Sequence, residues 1–147
     1  MKKAVCGAIA LACMLTTGAL AVDTVTSRDA PDLISVRAKI KAKDFNGALA
    51  ELTPMLQSYQ HADVYNLMGF SLRKTGDRKQ AYMFYRKALD FDPQHKGALE
   101  YLGELYVESG QIDKARESVA QLKTLCPGGC EELADLEKTI AAASKAN

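Results

Sequence analysis

Apolar residues recur every three or four positions through most of the chain, in runs that short polar turns separate. This spacing indicates amphipathic helices, because one face of a helix meets the core every three or four residues. A typical turn is Lys74-Thr75-Gly76-Asp77-Arg78, in which a glycine lies among polar residues between two such runs. The pattern predicts pairs of helices joined by tight turns, and the predicted fold class is all-α.

The same pattern returns at a fixed interval. Shifting the sequence by 34 residues places four small or turn-forming residues on identical ones: Gly69 on Gly103, Gly76 on Gly110, Ala81 on Ala115, and Pro93 on Pro127. The first and third pairs supply small side chains that let two helices approach closely. The second pair can adopt the left-handed conformation that ends a helix, and the prolines stop the second helix of each copy.

A third, degenerate copy lies upstream, where residues 43–49 take the place of residues 75–81 at an offset of 33. It lacks the small residue of the first helix and the closing proline. Its second helix is predicted over residues 45–58 with Pro54 inside, where proline removes one backbone hydrogen bond and is expected to kink the helix. The alternative is that Pro54 ends the helix and that residues 55–60 form a loop.

The repeat resembles the tetratricopeptide repeat (TPR) family. One copy matches the family pattern at Tyr65, Met68, Gly69, Leu72, Ala81, Tyr85, Ala88 and Pro93, and the next at Leu99, Leu102, Gly103, Tyr106, Ala115, Val119, Leu122 and Pro127. The resemblance implies a right-handed α-solenoid of three TPR-like helical hairpins, over residues 31–61, 62–95 and 96–129. A stack of this kind is stable because each hairpin buries its apolar face against the next one.

The segment 130–147 is predicted to be a capping helix. Leu133, Leu136 and Ile140 fall on one side of it, and its acidic start and basic end agree with the helix dipole. We expect this helix to cover the exposed apolar face of the last hairpin.

The amino-terminal segment has the features of a secretory signal peptide over residues 1–21. Two lysines precede an uncharged run, and Ala19-Leu20-Ala21 offers small residues for cleavage before Val22. Residues 22–30 are then a flexible leader, and the protein is predicted to be periplasmic or secreted. The alternative is a lipoprotein signal in which Cys13 is lipidated, and contact with a membrane is expected in that case alone.

Length and charge limit the possible functions further. A chain of 147 residues is long enough for one globular domain. Its formal net charge of +1 gives no general electrostatic attraction to nucleic acid or to an anionic membrane, so neither is expected as a partner. No motif typical of a catalytic, phosphate-binding or metal-binding site is present. The sequence therefore predicts no enzymatic activity, no cofactor and no metal.

The motif Cys126-Pro127-Gly128-Gly129-Cys130 joins the last hairpin to the cap, and several interpretations of it are open. A structural disulfide would hold the cap across a tight turn, in an oxidising compartment. The two thiolates could instead bind copper or zinc, although they make an incomplete ligand set. A redox-active pair is a third interpretation, although redox pairs usually have two intervening residues and their first cysteine at a helix start. The cysteines could also be two free thiols.

The family resemblance implies that the first helix of each hairpin lines a concave groove for a peptide. By position, the groove residues are Arg37, Lys41, Asn66, Phe70, Arg73, Lys74, Glu100, Glu104 and Glu108. The charge of the groove would run from basic to acidic, with Phe70 as an apolar anchor. The three glutamates are interpreted either as a solvated face partly paired with Arg73 and Lys74, or as a recognition stripe for a basic segment. His61 and His95 are expected to be exposed in turns between hairpins.

Together these observations predict a non-enzymatic exported scaffold that binds a protein or peptide of the cell envelope in its groove. A thiol or metal handling protein that uses Cys126 and Cys130 is the first alternative. A lipidated accessory protein of an envelope assembly complex is the second.

Overall fold

A computed structural model describes residues 31–146. Within that range the regular secondary structure is entirely α-helical. The predicted signal peptide, the leader and the possible lipidation of Cys13 lie outside the described residues. The helices are α1 (Ile34–Lys41), α2 (Phe45–Ser58), α3 (Ala62–Lys74), α4 (Arg78–Phe91), α5 (Lys96–Glu108), α6 (Ile112–Leu125) and α7 (Glu131–Ala146). The predicted all-α stack of three hairpins and a terminal helix is confirmed.

The turn inside each hairpin follows from its local sequence. Asp44 and Asp77 cap the second helices, because their carboxylates accept hydrogen bonds from the backbone N–H groups of Gly47 at 2.9 Å and Gln80 at 3.0 Å. Gly76 has a positive φ of 97°, and Gly110 in the next hairpin has 73°. These turns therefore need a residue in the left-handed region, which glycine adopts without steric cost.

The first hairpin has Lys43 where the other two have glycine, and its φ is 62°. A side chain in this region clashes with the backbone, so the conformation is strained for lysine. The degenerate character of the first repeat is thus a property of its turn as well as of its helices.

Close helix packing depends on the two glycines that the repeat aligns. A Cβ atom on Gly69 would lie 2.7 Å from the ring of Tyr85 and 3.2 Å from the backbone oxygen of Ala81. A Cβ atom on Gly103 would lie 2.5 Å from a methyl group of Leu136. The side chains of Ala81 and Ala115 are fully buried. The predicted role of these small residues in packing agrees with the contacts.

The second helix of the first hairpin continues through Pro54, which confirms the helical interpretation over the loop. Pro54 and the adjoining Thr53 are exposed, and the Thr53 hydroxyl donates to the carbonyl of Leu49 at 2.7 Å. The kink expected at Pro54 stays a prediction.

Helix α7 covers the end of the stack. Leu133 and Leu136 pack with Leu99 of α5 and Leu122 of α6, and all four are buried. A shift of 34 residues also places Leu99 on Leu133 and Leu102 on Leu136. Helix α7 therefore has the pattern and the position of the first helix of a further hairpin, and its capping role is confirmed.

The turn between α6 and α7 brings Cys126 and Cys130 together. Their sulfur atoms lie at disulfide-bonding distance and their Cα atoms are 6.0 Å apart, which is ordinary for a disulfide. Gly129, which lies between them, has a positive φ of 90° that closes the turn. This geometry supports the structural disulfide among the interpretations open at the level of sequence.

Among the described residues, no helix is both long enough and apolar enough to cross a membrane.

Candidate functional site

A polar pocket of about 340 Å³ lies on the face shared by α1, α3, α5 and α7, which we call the groove. Helices α1 and α3 and the residue before α5 contribute Arg37, Asp63, Asn66, Leu67 and His95. Helices α5 and α7 contribute Gly97, Glu100, Tyr101, Glu131, Glu132 and Asp135. The first helices of the hairpins thus share one surface, as the family resemblance implies, and α7 also lines it.

The floor of the pocket holds two buried polar side chains. Asn66 is 5% exposed, and its Oδ1 atom has no hydrogen-bond partner among the described residues. Glu100, one helix further along, is 8% exposed. Burial raises the pKa of Glu100 to about 8, and the nearby carboxyl groups of Glu104, Asp135 and Glu132 add to the rise. The Asn66 oxygen thus lacks a donor among the described residues, and the surroundings of Glu100 disfavour its charged form.

The rim of the pocket is a chain of polar contacts across three hairpins. Arg37 of α1 lies 3.4 Å from Asp63 of α3, and Asp63 lies 3.1 Å from Nε2 of His95. The backbone N–H of Ala98 donates to Nδ1 of His95 at 3.0 Å, so the proton of the neutral ring is on Nε2 and is donated to Asp63. This hydrogen bond, with the charges nearby, lowers the pKa of Asp63.

The expectation that the histidines are exposed turn residues is wrong for His95, whose side chain is 15% exposed. His61 and His95 are the N-caps of α3 and α5, and each ring accepts a backbone hydrogen bond. Histidine is uncommon at this position, so the usual preference for Ser, Thr, Asp and Asn gave no signal for it.

Arg73 is a buried residue of the stack and not a free groove charge. Its side chain is 5% exposed, and it lies 2.6 Å from Glu104 and 3.5 Å from Glu108 of the next hairpin. It also donates to the backbone oxygen of Tyr101 at 3.1 Å. The prediction that Arg73 offers its charge to a partner is therefore corrected, because that charge is already paired between α3 and α5.

The glutamates of α5 divide into two groups. Glu104 and Glu108 form ion pairs, Glu104 with Arg73 and Glu108 with Arg73 and Arg78. This supports the paired interpretation, with Arg78 as the second cation where Lys74 was expected. Glu100 lies apart from them in the polar pocket.

The remaining predicted groove residues lie outside the pocket. Phe70 packs on Phe45 and Tyr101, with ring centroids 6.1 and 4.9 Å away, and the ammonium group of Lys74 lies 5.1 Å from its ring centre. Lys41 is exposed at the end of α1. Of the nine predicted groove residues, Arg37, Asn66 and Glu100 line the pocket.

Sequence reasoning missed the acidic wall that Glu131, Glu132 and Asp135 of α7 form. The acidic start of the cap was interpreted through the helix dipole alone. The sequence did contain a signal for this wall. Leu133 lies one repeat interval after Leu99, so α7 corresponds in the repeat to the first helix of a hairpin, which lines the groove.

In the described part of the chain, no group of three or more His, Cys, Asp and Glu residues is placed to hold a metal ion.

Comparison with known proteins agrees with this architecture. A family model described as tetratricopeptide repeat matches residues 72–128, from the end of α3 to the turn after α6. The hairpins are tetratricopeptide-like. The solved structure of PcrH in complex with the chaperone binding region of PopD superposes on this stack of hairpins with a TM-score of 0.65 at 14% identity, covering 76% of this chain and 86% of that chain.

Two curated relatives each match part of this chain. BBSome complex member BBS4 of Bos taurus is 32% identical over 88 residues, which are 60% of this chain and 17% of that protein. The probable biofilm formation methyltransferase WspC of Pseudomonas putida is 42% identical over 55 residues, which are 37% of this chain and 13% of that protein. The chain therefore spans less than a fifth of the length of these two relatives.

Proposed function

We propose that this chain is a non-enzymatic scaffold of the bacterial cell envelope that binds a segment of another protein in the groove. The observation that carries the proposal is the polar pocket, which all four groove helices line and whose buried Asn66 oxygen lacks a partner. A buried polar group without a partner costs free energy, and a bound segment would supply the missing hydrogen bond.

The fold supports this function. Stacked helical hairpins offer extended concave surfaces, and repeat proteins use such surfaces for binding. PcrH, which shares the fold, was solved in complex with the chaperone binding region of PopD. That partner belongs to PcrH, and the partner of this chain is to be identified by experiment.

The envelope location rests on the amino-terminal sequence and on the cysteine pair. A basic start, an uncharged run and Ala19-Leu20-Ala21 are typical of an export signal. A disulfide between Cys126 and Cys130 would persist in an oxidising compartment. Intact mass of the protein purified from its native envelope tests this, since cleavage after Ala21 and lipidation at Cys13 give different masses. A cytoplasmic protein with residues 1–21 intact would contradict the location.

Site-specific photo-crosslinking tests the binding surface. A photoreactive residue at Arg37 or Asp135 faces the groove, whereas one at Arg116 lies on the exposed side of α6. We expect a discrete cross-linked partner in native envelopes from both groove positions and none from position 116. Crosslinks from position 116 alone, or from no position, would remove the groove from consideration.

A further inference from the structure

The polar pocket has a strong excess of acidic groups. Five carboxyl groups line it, from Asp63, Glu100, Glu131, Glu132 and Asp135, against the single guanidinium of Arg37. Arg37 and His95 both contact Asp63 at the rim, so that carboxylate is partly neutralised. The charge inside the pocket is therefore determined mainly by the carboxyl groups of α5 and α7.

A cluster of acidic residues by itself is usually a solvated surface. This pocket also contains a buried polar side chain. The Oδ1 atom of Asn66 is buried and unpaired in the described residues, and Asn66 lines the pocket. An amide oxygen can only accept a hydrogen bond, so it requires a donor. The lining of the pocket therefore combines one buried acceptor without a described donor and the carboxyl groups of α7.

The Asn66 side chain lies close to the backbone of α5. Gly97 lines the same pocket, and a Cβ atom on Gly97 would lie 3.3 Å from the Asn66 amide nitrogen. A side chain at this position would press on the asparagine.

From this placement we propose that the polar pocket binds the protonated side chain of a lysine or arginine from an extended segment of the partner protein. The inference rests on the proposed function and specifies the chemistry of the partner. The N–H groups of the guest donate to Asn66 Oδ1 and to the carboxylates of Glu100 and Asp135. A basic side chain fits because it is a pure donor with positive charge. An acidic segment would face the carboxylates of Glu131, Glu132 and Asp135 and is repelled.

The protonation of Glu100 gives the binding a distinctive pH dependence. The groups that act on it are Glu104 on its own helix, Glu132 and Asp135 on α7, and Arg73 on α3, whose positive charge opposes the rise in its pKa. Asp63, His95 and Arg37 lie along the same pocket. With a pKa of about 8, Glu100 is mostly protonated at neutral pH and must lose its proton to pair with a cation. Affinity for a basic side chain therefore rises as the pH increases from 6 to 8.

The test uses capped pentapeptides of alanine with one central lysine or one central norleucine, which lacks the ammonium group. Binding to the protein is followed by the NMR shifts of the Asn66 side-chain amide and of the Gly97 backbone amide. We expect the lysine peptide to bind about tenfold more tightly than the norleucine peptide, and its affinity to rise about tenfold between pH 6 and 8. In Glu100→Gln the pH dependence should disappear. Glu117→Gln, an exposed carboxylate on α6, is the matched control and should bind as the parent does.

Asp135→Asn provides a second variant, on an exposed position of α7, in case Glu100→Gln fails to fold. It should weaken the lysine peptide and leave the norleucine peptide unchanged. Cadaverine, the free diamine, distinguishes a polyamine site from a site for a protein segment. Equal binding of the lysine and norleucine peptides, or tighter binding of cadaverine than of the lysine peptide, would overturn the inference. Crosslinks from the groove to a partner would then still support the proposed function.

Discussion

Lys43 has a left-handed backbone conformation. The corresponding residues of the other two hairpins, Gly76 and Gly110, have a positive φ as well, but they are glycines. We expect Lys43→Gly to raise the free energy of unfolding by about 1 kcal/mol, because the steric cost of the side chain is removed. Urea denaturation measures the effect. The control is Ala42→Gly at the neighbouring position, whose φ of −76° suits any residue. That variant should be less stable than the parent, and an equal gain in both variants would contradict the explanation.

Gln111 begins α6 without the side-chain hydrogen bond that Asp44 and Asp77 make at the corresponding positions of α2 and α4. Gln111→Asp should raise the free energy of unfolding by about 0.5–1 kcal/mol at pH 7, because an aspartate oxygen can accept a backbone N–H of the first turn. Thermal unfolding at pH 7 and at pH 3 measures the gain. The gain should be smaller at pH 3, where part of the carboxylate is protonated, and a gain of equal size at both pH values would have another cause.

The pKa of Asp63 is lowered by its hydrogen bond with His95 and then by the positive charges beside it, so its carboxylate stabilises the folded state. Because the folded pKa lies below the unfolded value, this contribution is present above about pH 4 and is lost as the pH falls through the folded pKa. Asp63→Asn should therefore lower the melting temperature by more at pH 7 than at pH 2.5. A difference of the same size at both pH values would show that the charge is not responsible.

At the scale of helices, Gly103 is the position where α5 meets the cap most closely. Gly103→Ala would place a methyl group within 2.5 Å of Leu136 and 3.2 Å of Ser118, both of which are buried. We expect a loss of about 1–3 kcal/mol in the free energy of unfolding. Gly128→Ala, with nothing within 4 Å of the added Cβ, is the control and should be close to neutral.

A double-mutant cycle with Leu136→Ala separates this contact from a general effect of alanine in a helix. If the clash is with Leu136, the effect of Gly103→Ala should shrink in the Leu136→Ala background. Additive losses would mean that the glycine is required for another reason.

The ion pair between Arg73 and Glu104 joins α3 to α5, with the arginine buried and the glutamate partly buried. Arg73→Met leaves Glu104 in its place without that cation and should cost about 3 kcal/mol of unfolding free energy, by chemical denaturation. Adding Glu104→Leu should restore much of the loss, because an apolar pair of similar size replaces a buried ion pair at little cost. A double variant as unstable as Arg73→Met would show that the pair itself is needed.

The sequence could predict those features of the fold that depend on residues close together in the chain. The ends of the helices come from Asp77, Gly76 and Pro93, which act on their own backbone, and the small-residue positions recur at a fixed interval. The pairing of Arg73 with Glu104 and of Asp63 with His95 joins residues about one repeat apart. The sequence offered the pairing of Arg73 with the glutamates as one of two interpretations and gave no signal for the pairing of Asp63 with His95. Both depend on how successive hairpins are offset, and the hydrophobic pattern of one helix does not contain that offset.

At the scale of the whole molecule, the link between Cys126 and Cys130 attaches the cap to the last hairpin. The double variant Cys126→Ser/Cys130→Ser should lose about 1–2 kcal/mol of unfolding free energy, because a short closed loop restricts the unfolded chain only slightly. A reducing agent should lower the stability of the parent protein by a similar amount and leave the double variant unchanged. If the agent affects both alike, the two cysteines are not linked in the folded protein.

Helix α7 contributes to both the core and the polar pocket. Leu136 on one face packs in the core, and Asp135 on the other face lines the pocket. A segment bound in the pocket must therefore hold the last helix in place, and the free energy of binding adds to the free energy of folding. Hydrogen exchange at the amides of α7 becomes a reporter of occupancy. It should slow in the complex even at residues on the apolar side, which never touch the bound segment.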